Sequence, residues 1–290
     1  MSAGSASPPG ASEPSAPSGA SASPASGSRI SGGPTHLAGL HAVVTGASRG
    51  IGAVIAAALV ADGVRVSLLG RDGDSLQRVA EGLGGAGHAQ PFITDVTDSA
   101  SVERAFNGAR NHFGPVQLLV NNAGQAASAK FLDTDEKLWN QLFAVNLHGT
   151  YLCCRQAVPD MLQTGFGRIV NVASIAGLRG AAYISAYVSS KHAVIGLTRA
   201  LALEYATRNI TVNAVCPGYV DTDIVKSAVA NIVSKTGRSE AEALAALVAT
   251  NPQRRLIEPR EVADTVMWLC RPGSPSVTGQ SLVLAGGEVT

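Results

Sequence analysis

Past residue 36 the chain alternates between two hydrophobic patterns. Short apolar runs at 41–45, 64–69, 88–94, 116–121, 168–172, 210–215 and 281–284 have the length and β-branched content of strands buried on both faces. Between them, at 50–61, 74–82, 99–112, 135–162 and 185–207, apolar residues recur at helical spacing. Asp98 or Ser99 is the expected cap of the third helix. Strands that alternate with helices require right-handed crossovers and a parallel sheet covered on both faces. The fold class predicted is α/β: a single doubly wound, Rossmann-type parallel sheet of seven strands. Residues 222–257 break the rhythm, with helical patches and no strand, and are a candidate lid over a site.

Composition changes the picture only at the start of the chain. Residues 1–36 are almost entirely Ser, Ala, Gly and Pro, and Ile30 is the sole large apolar residue after Met1. Such a segment cannot bury enough surface to offset its ordering entropy, so it is predicted to be a disordered tail. It has no apolar secretory core, and Arg29 alone is too little charge for a mitochondrial presequence. Residues 37–290 then form one domain. A formal net charge of +1 points to no nucleic acid or other polyanion. No uncharged apolar run reaches membrane-spanning length. The cysteines, Cys153, Cys154, Cys216 and Cys270, form no C-x-x-C pair and read as buried thiols in a reducing cytoplasm. The histidines are scattered without zinc-site spacing, so no metal is expected.

The candidate chemistry begins at TGASRGIG, residues 45–52, between the first strand and the first helix. A helix N-terminus favours anions, so a phosphate is the expected guest there. Gly46, Gly50 and Gly52 would let the backbone approach it, or would let helix and strand pack closely. Tyr187 and Lys191 lie four apart on one helical face. Ser174 ends the fifth strand, Asn121-Asn122-Ala123-Gly124 ends the fourth, Asn146 lies in the long helix between them, and Pro217-Gly218 follows the sixth. In a parallel sheet these positions share the edge where ligands bind. Plain structural roles also exist: Ser174 as a turn cap, Asn146 as an interior helix polar group, Tyr187 as a half-buried tyrosine.

Together with Asp95-Val96 and PGYVDT, these motifs resemble the short-chain dehydrogenase/reductase family in its form of about 250 residues, from about residue 38 to 290. The resemblance implies hydride transfer between a nicotinamide and a carbonyl or secondary alcohol. Tyr187 would be the acid or base, Lys191 its cationic neighbour and a ligand of the nicotinamide ribose, and Ser174 a hydrogen-bond donor to the substrate oxygen. Asn146 would hold a water linking Lys191 to solvent. The cofactor would be touched by Gly46, Ser48, Arg49, Gly50, Ile51 and Gly52. Asp95 and Val96 would meet its adenine. Asn122, Ala123 and Gly124 would line its ribose. Pro217, Gly218, Val220 and Thr222 would frame its nicotinamide.

NAD-preferring proteins usually end the second strand with a carboxylate for the ribose hydroxyls. Here it ends Leu68-Leu69-Gly70-Arg71, and Arg71 with Arg49 suits a 2′-phosphate. NADP(H) is the expected cofactor, NAD(H) the alternative if Asp72 supplies the carboxylate. Segment 222–257 resembles relatives acting on 3-oxoacyl or 3-hydroxyacyl thioesters, and Lys226, Lys235, Arg238, Arg254 and Arg255 could meet phosphates of coenzyme A or an acyl carrier. Rival readings are a reductase of a cyclic ketone, sugar or polyol, a nucleotide-sugar epimerase or dehydratase, and a non-catalytic dinucleotide-binding scaffold. The resemblance also implies a homotetramer or homodimer built on the helices at 135–162 and 185–207, with Ala200, Ala202 and Ala206 permitting close packing.

Overall fold

The computed structural model describes residues 34–289. The predicted tail lies outside the described residues, apart from its last three positions. The strands are β1 His41–Thr45, β2 Arg65–Gly70, β3 Ala89–Ile93, β4 Leu118–Asn121, β5 Gly167–Val172, β6 Ile210–Pro217 and β7 Ser281–Leu284. They form one parallel sheet in the order β3-β2-β1-β4-β5-β6-β7. The helices are α1 Gly50–Ala61, α2 Gly73–Gly82, α3 Ser99–Phe113, α4 Glu136–Phe143, α5 Gly149–Thr164, α6 Ser185–Tyr205, α7 Asp223–Thr236, α8 Glu240–Leu247 and α9 Pro259–Cys270.

Both faces of the sheet are covered, which is why its strands are apolar throughout. In β1, Ala42 and Val44 join the core formed with Ile55 and Leu59 of α1, Leu76 of α2 and Val262 and Val266 of α9. Val43 points the other way, into the core of Val102 and Phe106 of α3 and Cys153 and Met161 of α5. All the cysteines are free and buried. Among the described residues, no helix is long and apolar enough to cross a membrane.

Three features depart from the sequence reading. The helix expected at 135–162 is broken by a π turn at Ala144–His148, which carries Asn146. Such turns widen the backbone locally and occur at functional sites. Helix α9 is absent from the periodicity reading, although Pro259 at its first turn and the reciprocal Glu258–Glu261 capping box are start signals. Ala202, expected to permit packing between subunits, is 2 % exposed and belongs to the core of its own chain, whereas Ala200 faces outward.

At the opposite edge from the strand C-termini, His41 is fully buried. Its Nδ1 is 2.8 Å from the Gly114 carbonyl and its Nε2 is 2.8 Å from the Ser67 hydroxyl. Burial, the largest cause, pulls its pKa from 6.5 to about 4. The unfolded chain therefore binds a proton that the native state refuses between those values, and stability is lost as pH falls from 6.5 to 4. The expected loss is about 3 kcal/mol. Urea midpoints measured across that window should fall in the wild type and fall less in His41→Gln; parallel slopes would refute the assignment.

Candidate functional site

In this strand order, chain connections leave β1 toward one edge of the sheet and β4 toward the other. The crevice above their C-terminal ends is where ligands of open α/β sheets bind. The loop at 45–52 lies there. Arg49 occupies the N-cap of α1 in extended conformation and makes no side-chain cap bond. By contrast α2, α3 and α4 start beneath Asp72, Asp98 and Asp135, whose carboxylates accept backbone N–H groups. The first donors of α1 are thus left for an outside anion, as a dinucleotide pyrophosphate requires.

The glycines divide between the two roles open to them. A Cβ on Gly52 would collide with the Gly46 carbonyl oxygen, and one on Gly46 would sit 2.9 Å from the Ala123 Cα. These two glycines serve close packing of the loop, the helix and the residues after β4, and Gly46, at φ +64°, also needs the left-handed backbone. Gly50 has φ +55°, which a side chain would strain, and only Thr222 lies near its missing Cβ. Thr45 and Asn122 fasten the assembly. The Thr45 hydroxyl accepts from the Asn122 and Ala123 N–H groups, each at 3.0 Å, and the Asn122 amide donates to the Thr45 and Gly46 carbonyls. Thr45 opens the loop motif, yet nothing in the sequence marks it for this role.

Ser174, Tyr187, Lys191 and Asn146 come together beside this crevice. Ser174 does cap its turn, accepting from the Ala176 N–H at 3.1 Å, which leaves its own hydroxyl proton free to donate. Tyr187 is half-buried. Burial is the main cause that raises its phenol above the ordinary value near 10, with the Ser174 hydroxyl pulling the other way. Lys191 is 5 % exposed, donates from Nζ to the Val172 carbonyl at 2.9 Å, and lies 5.8 Å from the Tyr187 ring centre. Burial lowers its pKa to about 8. A cation beside a tyrosine favours the phenolate and so lowers its pKa. In the structure Lys191 is not among the causes acting on Tyr187; burial comes first for both groups and pushes each toward its neutral form.

Asn146 is tied more fully than a water-holding role needs. Its side-chain oxygen accepts from the Gln125 N–H at 2.8 Å, and its amide donates to the Gln125 carbonyl and the Ser190 hydroxyl, each at 3.0 Å. Ser190 in turn donates to the Tyr187 carbonyl. Gln125 and Ser190, which carry no signal in the sequence, therefore register the π turn against the helix that carries Tyr187 and Lys191. A Cβ on Gly124 would lie 3.3 Å from the Asn146 oxygen and 3.6 Å from Lys191 Nζ, so this glycine keeps the passage between them open.

The remaining nominated residues are less concentrated. Arg49, Ser48, Ile51 and Arg71 flank the glycine loop and the end of β2. Arg49 faces Asp223 at 3.8 Å, and both are exposed. Asp72 is committed elsewhere: its carboxylate accepts from the Ser75 N–H at 3.0 Å and hydroxyl at 2.6 Å, bonds that hold its pKa low. Asp95 accepts from Thr97, and Val96 packs on Gly149, where a Cβ would come within 2.8 Å. Pro217 ends β6, Gly218 follows it, and the Val220 backbone bridges to Ile257. The Thr222 hydroxyl donates to the Val220 carbonyl. Of the basic residues beyond them, Arg255 is spent on Glu261 at 2.7 Å and Lys226 faces Asp223 at 4.0 Å.

Fold and crevice place the chain among the dinucleotide-binding α/β proteins. The family is narrower: the short chain dehydrogenase profile matches residues 40–233, and the chain belongs to that family of NAD(P)H-dependent oxidoreductases. A Streptomyces coelicolor protein whose name assigns it ketoacyl reduction is 38 % identical over 249 residues, covering 85 % of this chain and 95 % of its own. Galactitol 2-dehydrogenase (L-tagatose-forming) of Cereibacter sphaeroides is 38 % identical over 253 residues, covering 87 % and 95 %. A crystal structure of an actinorhodin polyketide ketoreductase variant with NADPH superposes with a TM-score of 0.82. It is 37 % identical and covers 86 % of this chain and 97 % of that one.

Proposed function

We propose that the protein is an NADP(H)-dependent carbonyl reductase whose proton donor is Tyr187. The observation that carries this reading is the meeting of Ser174, Tyr187 and Lys191 at the strand edge next to the uncapped start of α1. When bound, the nicotinamide supplies a hydride to the carbonyl carbon, or removes one in reverse. As negative charge builds on the substrate oxygen, the Ser174 hydroxyl donates a hydrogen bond to it and the Tyr187 phenol gives up its proton. The raised pKa of Tyr187 keeps it protonated at neutral pH, as reduction requires. Lys191 offsets the phenolate left behind, and two of its three protons remain for ribose hydroxyls once Val172 has taken one. Asn146 would link Lys191 to solvent through a water, its π turn opening the helix backbone beside Gly124.

NADP(H) preference rests on Gly70 standing where a carboxylate would serve NAD(H), on Asp72 being occupied by Ser75, and on Arg49 and Arg71 at the crevice rim. Arg49→Gln and Arg71→Gln are each expected to raise the KM for NADPH about tenfold with that for NADH little changed, since a charge-assisted phosphate contact is lost. Higher kcat/KM with NADH in the wild type would sink the preference.

The substrate reading favoured is a 3-oxoacyl thioester, supported by the ketoacyl and polyketide reductases among the relatives. A polyol or sugar ketone is the second, supported by the galactitol enzyme and by the engagement of Arg255 and Lys226, which removes part of the positive charge a phosphate-bearing carrier would meet. Acetoacetyl-CoA, a longer 3-oxoacyl thioester, a cyclic ketone and a sugar ketone separate these readings; turnover of ketones without thioesters discards the first. A homotetramer or homodimer through α4, α5 and α6 is supported by Leu203, 83 % exposed on α6, and a strictly monomeric sedimentation profile would oppose it.

A further inference from the structure

Residues 221–256 leave the sheet and return to it. At the base the excursion is closed by the Val220–Ile257 bridge and by backbone bonds joining Asp221 to Ile257 and Ile257 to Tyr219. Its helices are poorly buried: Val225 is the only buried residue of α7, and Ala243 that of α8. An element with so little buried surface opens readily unless it is fastened at a second point.

That second point is Glu288, in the segment after β7. Its side chain is 2 % exposed, although the residue lies beyond the last strand. One carboxylate oxygen accepts from the Thr250 hydroxyl at 2.5 Å, in the C-terminal part of the excursion, and from the Arg179 guanidinium. Backbone packing follows the same line. A Cβ on Gly286 would collide with the Asn251 side-chain oxygen, and one on Gly287 would fall 3.2 Å from Pro252. Gly218 donates its N–H to the Leu284 carbonyl. Arg179, in turn, donates its N–H to the Ile175 carbonyl in the turn opened by Ser174. That turn packs on α6 so closely that a Cβ on Gly177 would lie 2.8 Å from the Lys191 carbonyl oxygen.

We propose that Glu288 is a positioning residue, a latch that fastens the 221–256 excursion over the substrate site and registers it against the turn carrying Ser174. It acts through Thr250 and Arg179 rather than on the reacting atoms. This rests on the reading of the edge as a carbonyl-reducing site. With the latch intact, the closed, substrate-ready arrangement exists before substrate arrives. Without it, part of the substrate's binding energy is spent on closure, so apparent affinity falls by the fraction still closed.

The test is Glu288→Gln, which keeps shape and removes charge, alongside Thr250→Val. Arg260→Gln, at the exposed Arg260–Asp264 pair, is the control. Substrate KM is expected to rise about tenfold in Glu288→Gln with kcat within about twofold, the loss of one charged hydrogen bond. Hydrogen exchange in 223–250 should accelerate in the same variant while β1 and β5 stay protected. Glu288→Asp should recover part of both effects. Unchanged KM and unchanged exchange in Glu288→Gln would overturn the latch, and so would a loss of protection spread evenly over the strands. If the wild type turns over no carbonyl compound the functional reading fails, and the exchange comparison still decides the latch by itself.

Discussion

Tyr187→Phe is expected to lower kcat for carbonyl reduction by about three orders of magnitude, the middle of what a positioned general acid contributes. The change removes one oxygen and leaves the ring that packs the half-buried site. NADPH affinity and thermal stability should therefore stay near wild-type values. The effect lives on the chemical step: in the proposed mechanism the phenol is the group that protonates the developing oxyanion, and Ser174 contributes only a hydrogen bond. Steady-state kinetics with saturating NADPH, together with a fluorescence titration of the cofactor, separate the two. Retained turnover would move the acid to another residue.

Lys191→Met carries the second large effect, and it has opposite signs for activity and stability. The lysine pKa falls from 10.5 to about 8 because the ammonium is buried. Between these values the unfolded chain holds more protons than the native one, so stability rises with pH across the window. Below pH 8 the charged form costs the free protein about 3 kcal/mol. Replacing the ammonium by an apolar group of similar length removes that cost. It also leaves the Val172 carbonyl without its partner, which returns about 1–3 kcal/mol. The melting temperature at pH 7, without cofactor, is expected to match or exceed that of the wild type, while kcat/KM falls by at least about a hundredfold and cofactor binding weakens. That outcome would mark Lys191 as a residue kept for its charge rather than for its packing. A clear drop in melting temperature would show that Lys191 is held mainly for packing.

Much of the fold and of the site is legible in the amino-acid sequence. The apolar runs mark the strands because a parallel sheet hides both faces, and the alternation of strand and helix implies the topology. What sequence periodicity does not carry is backbone detail set by tertiary contact. The π turn at Asn146 is invisible in a helical pattern, because its extra residue is stabilised by Gln125 and Ser190 from elsewhere in the chain. The same holds for the glycines: spacing marks them, but only the packing of Gly46 and Gly52 against each other and the residues after β4 distinguishes them from Gly50. The direction of the Tyr187 shift is hidden for a related reason, since burial depth cannot be read from a spacing of four. Glu288 gives no signal because it is a lone carboxylate near the end of the chain, and its partners Arg179 and Thr250 are distant in sequence.

The most direct test of the proposed chemistry is NADPH oxidation, with NADH in parallel, by purified wild-type protein and Tyr187→Phe against the panel of thioesters and free ketones. The account predicts turnover of at least one carbonyl compound, faster with NADPH, and its near-complete loss in the variant with cofactor binding retained. Equal rates in the two proteins, or tight NADPH binding with no turnover of any compound, would contradict it.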